Sequence, residues 1–211
     1  MTREEFIEVL EEEGYSYKIE GDNLVVVDDW NVDLRSLETI SPGVVFSNEG
    51  YVSLESLKTL PPDVVFKNDG IVNLRSLETL PPGVEFLNKE DIDLRSLKTI
   101  PEGIKEFKNK GDVNLDSLET IPPEMMFLNK GDVWLRSLVI LPPGVGFINK
   151  GNVWLNDLKT ISPGVVFSNK GEVFLDKLFG DTMSSKDWKI NIEGIKPNRL
   201  LNFMIKQGVF I

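Results

Sequence analysis

A twenty-residue unit recurs about seven times across residues 33–179, and its apolar positions hardly change from copy to copy. Two adjoining units show it: Val44-x-Phe46-x-Asn48-x-Gly50-x-Val52-x-Leu54-x-x-Leu57-x-x-Leu60, then Val64-x-Phe66-x-Asn68-x-Gly70-x-Val72-x-Leu74-x-x-Leu77-x-x-Leu80. A fixed period this short confines the chain to a stack of like units along one axis. The columns are long. One runs Val32, Val52, Val72, Ile92, Val113, Val133, Val153, Val173; leucine follows two residues later, from Leu34 to Leu175, and three further on, from Leu37 to Leu178. Phe46, Phe66, Phe86, Phe107, Phe127, Phe147 and Phe167 form another column, with Asn48 to Asn169 two residues beyond it. One copy carries an extra residue at Lys105-Glu106, and the frame resumes at Phe107, as expected of a bulge or a longer corner.

Apolar residues two apart lie on the same side of a strand, so Val44-x-Phe46 and Val52-x-Leu54 predict two short strands per unit. Asn-x-Gly between them is expected to turn the corner by tolerating positive φ. Leu57-x-x-Leu60, spaced by three, suits a single helical or 3₁₀ turn, which the following Pro-Pro or Ser-Pro prevents from extending. A lone coil of this size buries too little apolar surface to offset the ordering of twenty residues, so stacking has to supply the rest. The asparagine column is expected to bond to itself and to corner backbone groups along the stack. A rival geometry fits the same letters: Asn-x-Gly also closes an antiparallel hairpin, which would give a file of hairpins instead of coils.

Leu-x-x-Leu-Pro-Pro-x-Val-x-Phe-x-Asn, as in residues 57–68, resembles the short bacterial leucine-rich repeat and the degenerate solenoid repeats of uncharacterised bacterial and phage proteins. The resemblance covers about 150 residues and implies a fold, a leucine-rich-repeat-like β-solenoid, rather than an activity. After the asparagine, Gly-x-Val-x-Leu adds a second strand-like pair that departs from the leucine-rich pattern and favours a straighter stack over a horseshoe. The expected architecture is mainly β: about seven to eight coils over residues 31–180, an α/β cap of helix plus hairpin over 1–30, and a helical cap over 181–211.

Both flanks suit that role. Thr2-x-x-Glu5 forms a capping box, Phe6, Val9 and Leu10 share a helical face, and Gly14 stops the helix. Residues 15–19 and 24–27 predict a hairpin leading into the first coil. At the other end, residues 197–207 predict a helix with Pro197 in its first turn and Gly208 as its stop.

Composition removes several chemistries. Cysteine and histidine are absent, which excludes disulfides, thiolate chemistry and the commonest general base and metal ligand. No phosphate-loop, dinucleotide or calcium-loop spacing appears, and Asn129-Lys130-Gly131-Asp132 lacks the clustered carboxylates of a calcium turn. No cofactor and no enzymatic activity are expected. The first residues carry no apolar signal core and no run is long enough to span a bilayer, which predicts a cytoplasmic protein without a membrane partner. Of the net charge of −11, residues 1–33 hold eleven acids against Arg3 and Lys18, a net of −9 that leaves −2 for the rest. Such a chain is expected to avoid nucleic acid.

Function then has to come from outward columns, where successive units place like positions about 4.8 Å apart. Trp134, Trp154 and Phe174 replace the polar Asp33, Ser53, Asn73, Asp93 and Asn114 of earlier units and would form an apolar strip. Either an external partner or the C-terminal segment, with Met183, Trp188, Ile190 and Ile192, covers it. Lys89, Lys110, Lys130, Lys150 and Lys170 follow the asparagine, and Asp91, Asp112, Asp132, Asn152 and Glu172 stand two residues on, placed to compensate them. Glu38, Lys58, Glu78, Lys98 and Glu119 alternate in sign, which reads as register control. The expected function is a non-enzymatic protein-binding solenoid, an inhibitor or adaptor acting on a host protein, with Trp134, Trp154, Phe174, Lys110, Lys130, Lys150 and Lys170 as contact residues. An acidic nucleic-acid mimic that inhibits a defence nuclease and a glycan binder using the tryptophan strip are the alternatives.

Overall fold

The computed structural model describes residues 1–175, which form a three-sided β-solenoid of about eight coils behind a helix and a hairpin. The cap expected over residues 181–211, together with Leu178 and the residues proposed to cover the strip, lies outside the described residues.

The N-terminal cap follows its sequence signals. Helix α1 (Arg3–Glu12) starts with the capping box: Thr2 Oγ1 accepts from the Glu5 N–H at 3.2 Å while the Thr2 N–H donates to Glu5 Oε2 at 2.8 Å. Phe6 and Leu10 are fully buried beneath it, and Gly14 ends the turn at φ +79°. Strands β1 (Tyr17–Glu20) and β2 (Asn23–Val26) form the expected antiparallel hairpin, and β2 passes its other edge to the first coil through Leu24–Val44 and Val26–Phe46 pairing.

From there every pairing is parallel and in register with the next coil. The first ladder runs from β2 through Val44–Phe46 and Val65–Phe66 to Glu85–Phe86. The second runs uninterrupted through eight strands, from Val32–Asp33 to Val173–Phe174, with Val52 opposite Val72 and Val133 opposite Val153. Parallel pairing at one-unit offset rules out the hairpin file, since hairpins would pair antiparallel within a unit. The valine, leucine and phenylalanine columns close into one continuous core. Phenylalanine rings stack down it with centroids 5.0 to 5.8 Å apart.

Two local expectations change. The segment around Leu57 and Leu60 is not a helical turn: the turn lies three residues earlier, where the Leu57 N–H donates to the Leu54 carbonyl at 3.2 Å. The chain then extends into a third ladder, with parallel bridges Thr59–Thr79–Thr99–Thr120 and, further on, Ile140–Leu141 paired with Thr160–Ile161. Nor does positive φ sit at Asn-x-Gly. It sits after proline at the next corner, in Gly43, Asp63, Gly83, Glu124, Gly144 and Gly164, with φ from 59° to 83°. Proline followed by a left-handed residue is the preference of a type II turn.

The glycine of Asn-x-Gly answers a different demand, which is close approach of one coil to the next. A Cβ on Gly131 would fall 2.5 Å from the Gly111 carbonyl carbon and 2.6 Å from the Asp112 nitrogen, both main-chain atoms that cannot swing away. Asparagine holds the same corner by donating from Nδ2 to carbonyls of two coils. Asn68 reaches Gly50 O at 3.1 Å in the preceding coil and Gly70 O at 3.0 Å in its own. Its Oδ1, like those of the other six asparagines in the column, is buried with no donor among the described residues, so these side chains serve the corners and not one another.

The extra residue acts locally. Phe107 returns to the core, but no ladder pairing joins Glu85–Phe86 to Glu106–Phe107, and the first ladder divides there into a five-stranded and a four-stranded sheet. The Phe86–Phe107 rings tilt by 32° across the break, and a cleft of about 360 Å³ opens beside Val84, Leu87, Ile104 and Lys108.

Two outcomes test this account. Gly131→Ala should lower unfolding free energy by about 2–3 kcal/mol, the range of overpacking against a rigid neighbour, in a chemical denaturation curve. Deleting Lys105 should restore the ladder hydrogen bonds at the break and raise the denaturation midpoint, by roughly 1–2 kcal/mol for one or two recovered bonds.

Candidate functional site

The second ladder displays its outward residues on a floor that is paired from end to end, and at its C-terminal half the display becomes aromatic. Val133, Leu135, Val153 and Leu155 are buried, so the intervening Trp134 and Trp154 point outward, as does Phe174 after Val173; all three are half-buried. Trp154 and Phe174 lie face to face, with centroids 3.9 Å apart and planes 9° from parallel. Trp134 pairs in register with Trp154 through the main chain.

The strip is also pinned by polar contacts that the column reading missed. The Arg136 guanidinium sits 5.4 Å from the Trp134 ring centroid and 5.5 Å from that of Trp154, within cation–π range of both. It is anchored by Asp116 Oδ2 in the preceding coil at 2.6 Å. Trp154 Nε1 donates to Asp132 Oδ2 at 3.3 Å, whereas Trp134 Nε1 is buried without an acceptor among the described residues. The signal was present in the arginine column. Arg35 and Arg95 pair with the aspartates two residues before them, Asp33 and Asp93, and where Trp134 takes the aspartate's place Arg136 turns to the coil below.

The acidic column does not do what its spacing suggested. Asp91, Asp112 and Asp132 accept main-chain N–H groups of the following coil: Asp112 N at 2.8 Å, Asp132 N at 2.7 Å and Asn152 N at 2.7 Å. Asn152 continues the file by accepting from Glu172 N at 2.9 Å. Among the described residues Lys89 pairs with Asp69 at 2.6 Å, but Lys110, Lys130, Lys150 and Lys170 are exposed and take part in no ion pair. The expected contact residues fall into two files, one at a corner and one on the second ladder. The lysines line the corner and the aromatic residues lie four positions further along each coil. The alternating column yields one ion pair among the described residues, Lys98 to Glu119 at 3.3 Å, between two largely exposed side chains.

Stacking like charges has an electrostatic cost, seen at Asp112. Burial pushes its carboxyl above the ordinary carboxylate value, the Asp132 N–H pulls the other way, and the charges of Asp91 and Asp132 add to the rise.

The N-terminal half of the same side is different. Trp30 at the first corner is 78% exposed, the most open large apolar side chain among the described residues, and the sequence reading passed over it. Nearby, Arg35, Tyr51, Ser53, Glu55, Ile71 and Asn73 line a shallow depression of about 240 Å³. No group of three or more acidic side chains able to hold a metal ion occurs among the described residues, and no helix among them is long and apolar enough to cross a membrane.

No family model, no curated protein and no solved structure matches this chain.

The acid file makes a pH prediction. A carboxyl whose folded pKa is raised costs stability above that pKa, and the cost is relieved as pH falls through it. Asp112→Asn keeps an Oδ1 acceptor, as Asn152 does naturally, and should raise the melting temperature at neutral pH by a few degrees at most. Melting curves should show the wild type closing that gap as pH is lowered towards the carboxylate range, and the variant should not share the gain.

Proposed function

We propose that this chain is a non-enzymatic recognition scaffold that binds another protein through the C-terminal half of its second-ladder face, in the manner of an inhibitor or adaptor. The observation that carries the reading is the strip itself: Trp134, Trp154 and Phe174, each half-buried at the same outward position of successive coils, with Arg136 over both indoles. Tryptophan, tyrosine and arginine dominate the energetically important centres of protein interfaces, and this strip holds two tryptophans and Arg136 together.

The ring geometry favours protein over glycan. A sugar stacks on an open ring face, but one face of Trp154 is covered by Phe174 at 3.9 Å and Arg136 lies over both indoles. With Arg136 over the indoles and Phe174 on Trp154, the strip is a mixed aromatic and cationic surface suited to protein side chains. Nucleic-acid mimicry draws less support, because the negative surplus lies in residues 1–33 and the outward columns of the solenoid carry both signs. The leucine-rich-repeat-like spacing supports the same reading, since stacked repeats fix columns of side chains before contact and lose little order on binding.

The test is comparative capture from native lysate. The double variant Trp134→Ala/Trp154→Ala should lose at least one partner that the wild type retains, while Thr79→Ala/Thr99→Ala, on the third ladder, should retain it. An identical set of captured proteins for all three would defeat the proposal.

A further inference from the structure

The lysine file is the second unexplained feature of this face. Lys110, Lys130, Lys150 and Lys170 are exposed, carry no ion pair among the described residues, and run parallel to the aromatic strip one corner away. Lysines with acidic neighbours available would be expected to pair with them, as Lys89 does with Asp69. Here Asp112 and Asp132 are held at the floor by main-chain N–H groups, and both oxygens of Asp132 are already engaged, by Asn152 and Trp154. Long lysine stems put their ammonium groups above that floor, where an approaching ligand meets the positive charge first.

We propose that the occupant of this face is an acidic amphipathic α-helix of a partner protein, lying along the solenoid axis. Its carboxylate stripe meets Lys110, Lys130, Lys150 and Lys170, and its adjoining apolar stripe packs on Trp134, Trp154 and Phe174. The inference rests on the reading of this face as a protein-binding surface and specifies the partner's chemistry.

The spacing selects a helix. Lysines one coil apart in an in-register parallel stack repeat at about 4.8 Å, so four of them span about 14 Å. Acids on one face of a helix repeat every ~5–6 Å, a mismatch that flexible lysine stems absorb. Same-face acids on an extended strand repeat every ~6.7 Å, so the fourth would overshoot the last lysine by roughly 6 Å. The lateral distance agrees as well. Lysine and aromatic residue are four positions apart around a corner, less than the ~13 Å of a straight segment, and a helix with its side chains is ~10–12 Å across.

Direct binding to the full-length chain tests this with three labelled synthetic probes. The first is a helix-forming peptide of about five turns with glutamate at i, i+4, i+7 and i+11 beside a leucine stripe. The second has the same composition rearranged to alternate as a strand, and the third is single-stranded oligonucleotide. The helical probe should bind most tightly and weaken with rising salt. Its affinity should fall by roughly tenfold or more in Lys130→Glu/Lys150→Glu and by a smaller factor in Lys130→Gln/Lys150→Gln. Failure of the helical probe to bind at low salt, equal binding to the charge-reversed chain, or tighter binding of the strand or the oligonucleotide would each overturn the proposal. Retention of a captured partner by the lysine variants and its loss from the Trp134→Ala/Trp154→Ala variant would sink the helix and leave the protein-binding reading standing. Capture unaffected by the tryptophan changes would sink that reading instead.

Discussion

In-register contact between successive coils governs everything else in this molecule. Each residue lies directly above its counterpart one unit earlier, so side chains and corners must fit themselves, repeated, at about 4.8 Å. Phenylalanine meets that condition by stacking flat, with most of the interplanar angles at or below 14°. Corners meet it by discarding side chains where main chains touch, as at Gly70, whose Cβ would lie 2.7 Å from the Gly50 carbonyl carbon. The asparagine amide then binds carbonyls from both coils and leaves few corner acceptors exposed to each other. Since each coil touches only its neighbours, the single extra residue at Lys105-Glu106 opens one ladder at one step while the second ladder passes through, with Ile92 still opposite Val113.

Self-stacking suits apolar and amide groups and penalises charge. The chain handles the penalty in three ways at three positions. The column from Glu38 to Glu119 alternates sign, which makes the correct register attractive and a one-coil slip repulsive. Arginines near the second ladder pair with an acid in their own coil or the one below, as in Arg95–Asp93 and Arg75–Glu55. Asp91, Asp112 and Asp132 instead spend their charge on main-chain N–H donors, at the expense of the raised proton affinity of the middle one. The lysine file from Lys110 to Lys170 uses none of these devices, which is the reason to look for its counter-charge outside the described residues.

Apolar columns were legible because period and burial coincide: every valine, leucine and phenylalanine position named from the repeat between residues 32 and 175 is buried, apart from the partly buried Leu37. Thr2-x-x-Glu5 and the hairpin were legible for the same reason, being decided by neighbours in sequence. What escaped is decided between coils. A spacing of three, as in Leu57 and Leu60, describes a helical turn or an extended segment that leaves a corner, and the Thr59–Thr79 bridge that selects the second involves a residue twenty positions away. Glycine at Asn-x-Gly carries the same letter whether it supplies positive φ or removes a Cβ, and the distance to the neighbouring main chain tells the two apart. Arg136 stood in a column of mixed residues, and its role follows from Trp134 having replaced the aspartate that Arg35 and Arg95 keep.

The aromatic strip shows how such a scaffold acquires specificity without disturbing its core. A change at an outward position leaves the buried residues on either side untouched, so polar side chains in coils one to five give way to Trp134, Trp154 and Phe174 with the same ladder beneath. Stacking then acts on the new residues as it does on the old ones. It closes one face of Trp154 with Phe174 and brings Arg136 over both indoles. Because the strands that carry Trp134 and Trp154 are paired on both sides, these groups hold their positions before any ligand arrives, and the ordering cost that weakens flexible binding loops is largely absent. Adjacent charge on long lysine stems adds an adaptable margin to that rigid centre. On the proposed reading, the combination would select a ligand first by the period of its charges and then by the shape that meets the aromatic residues.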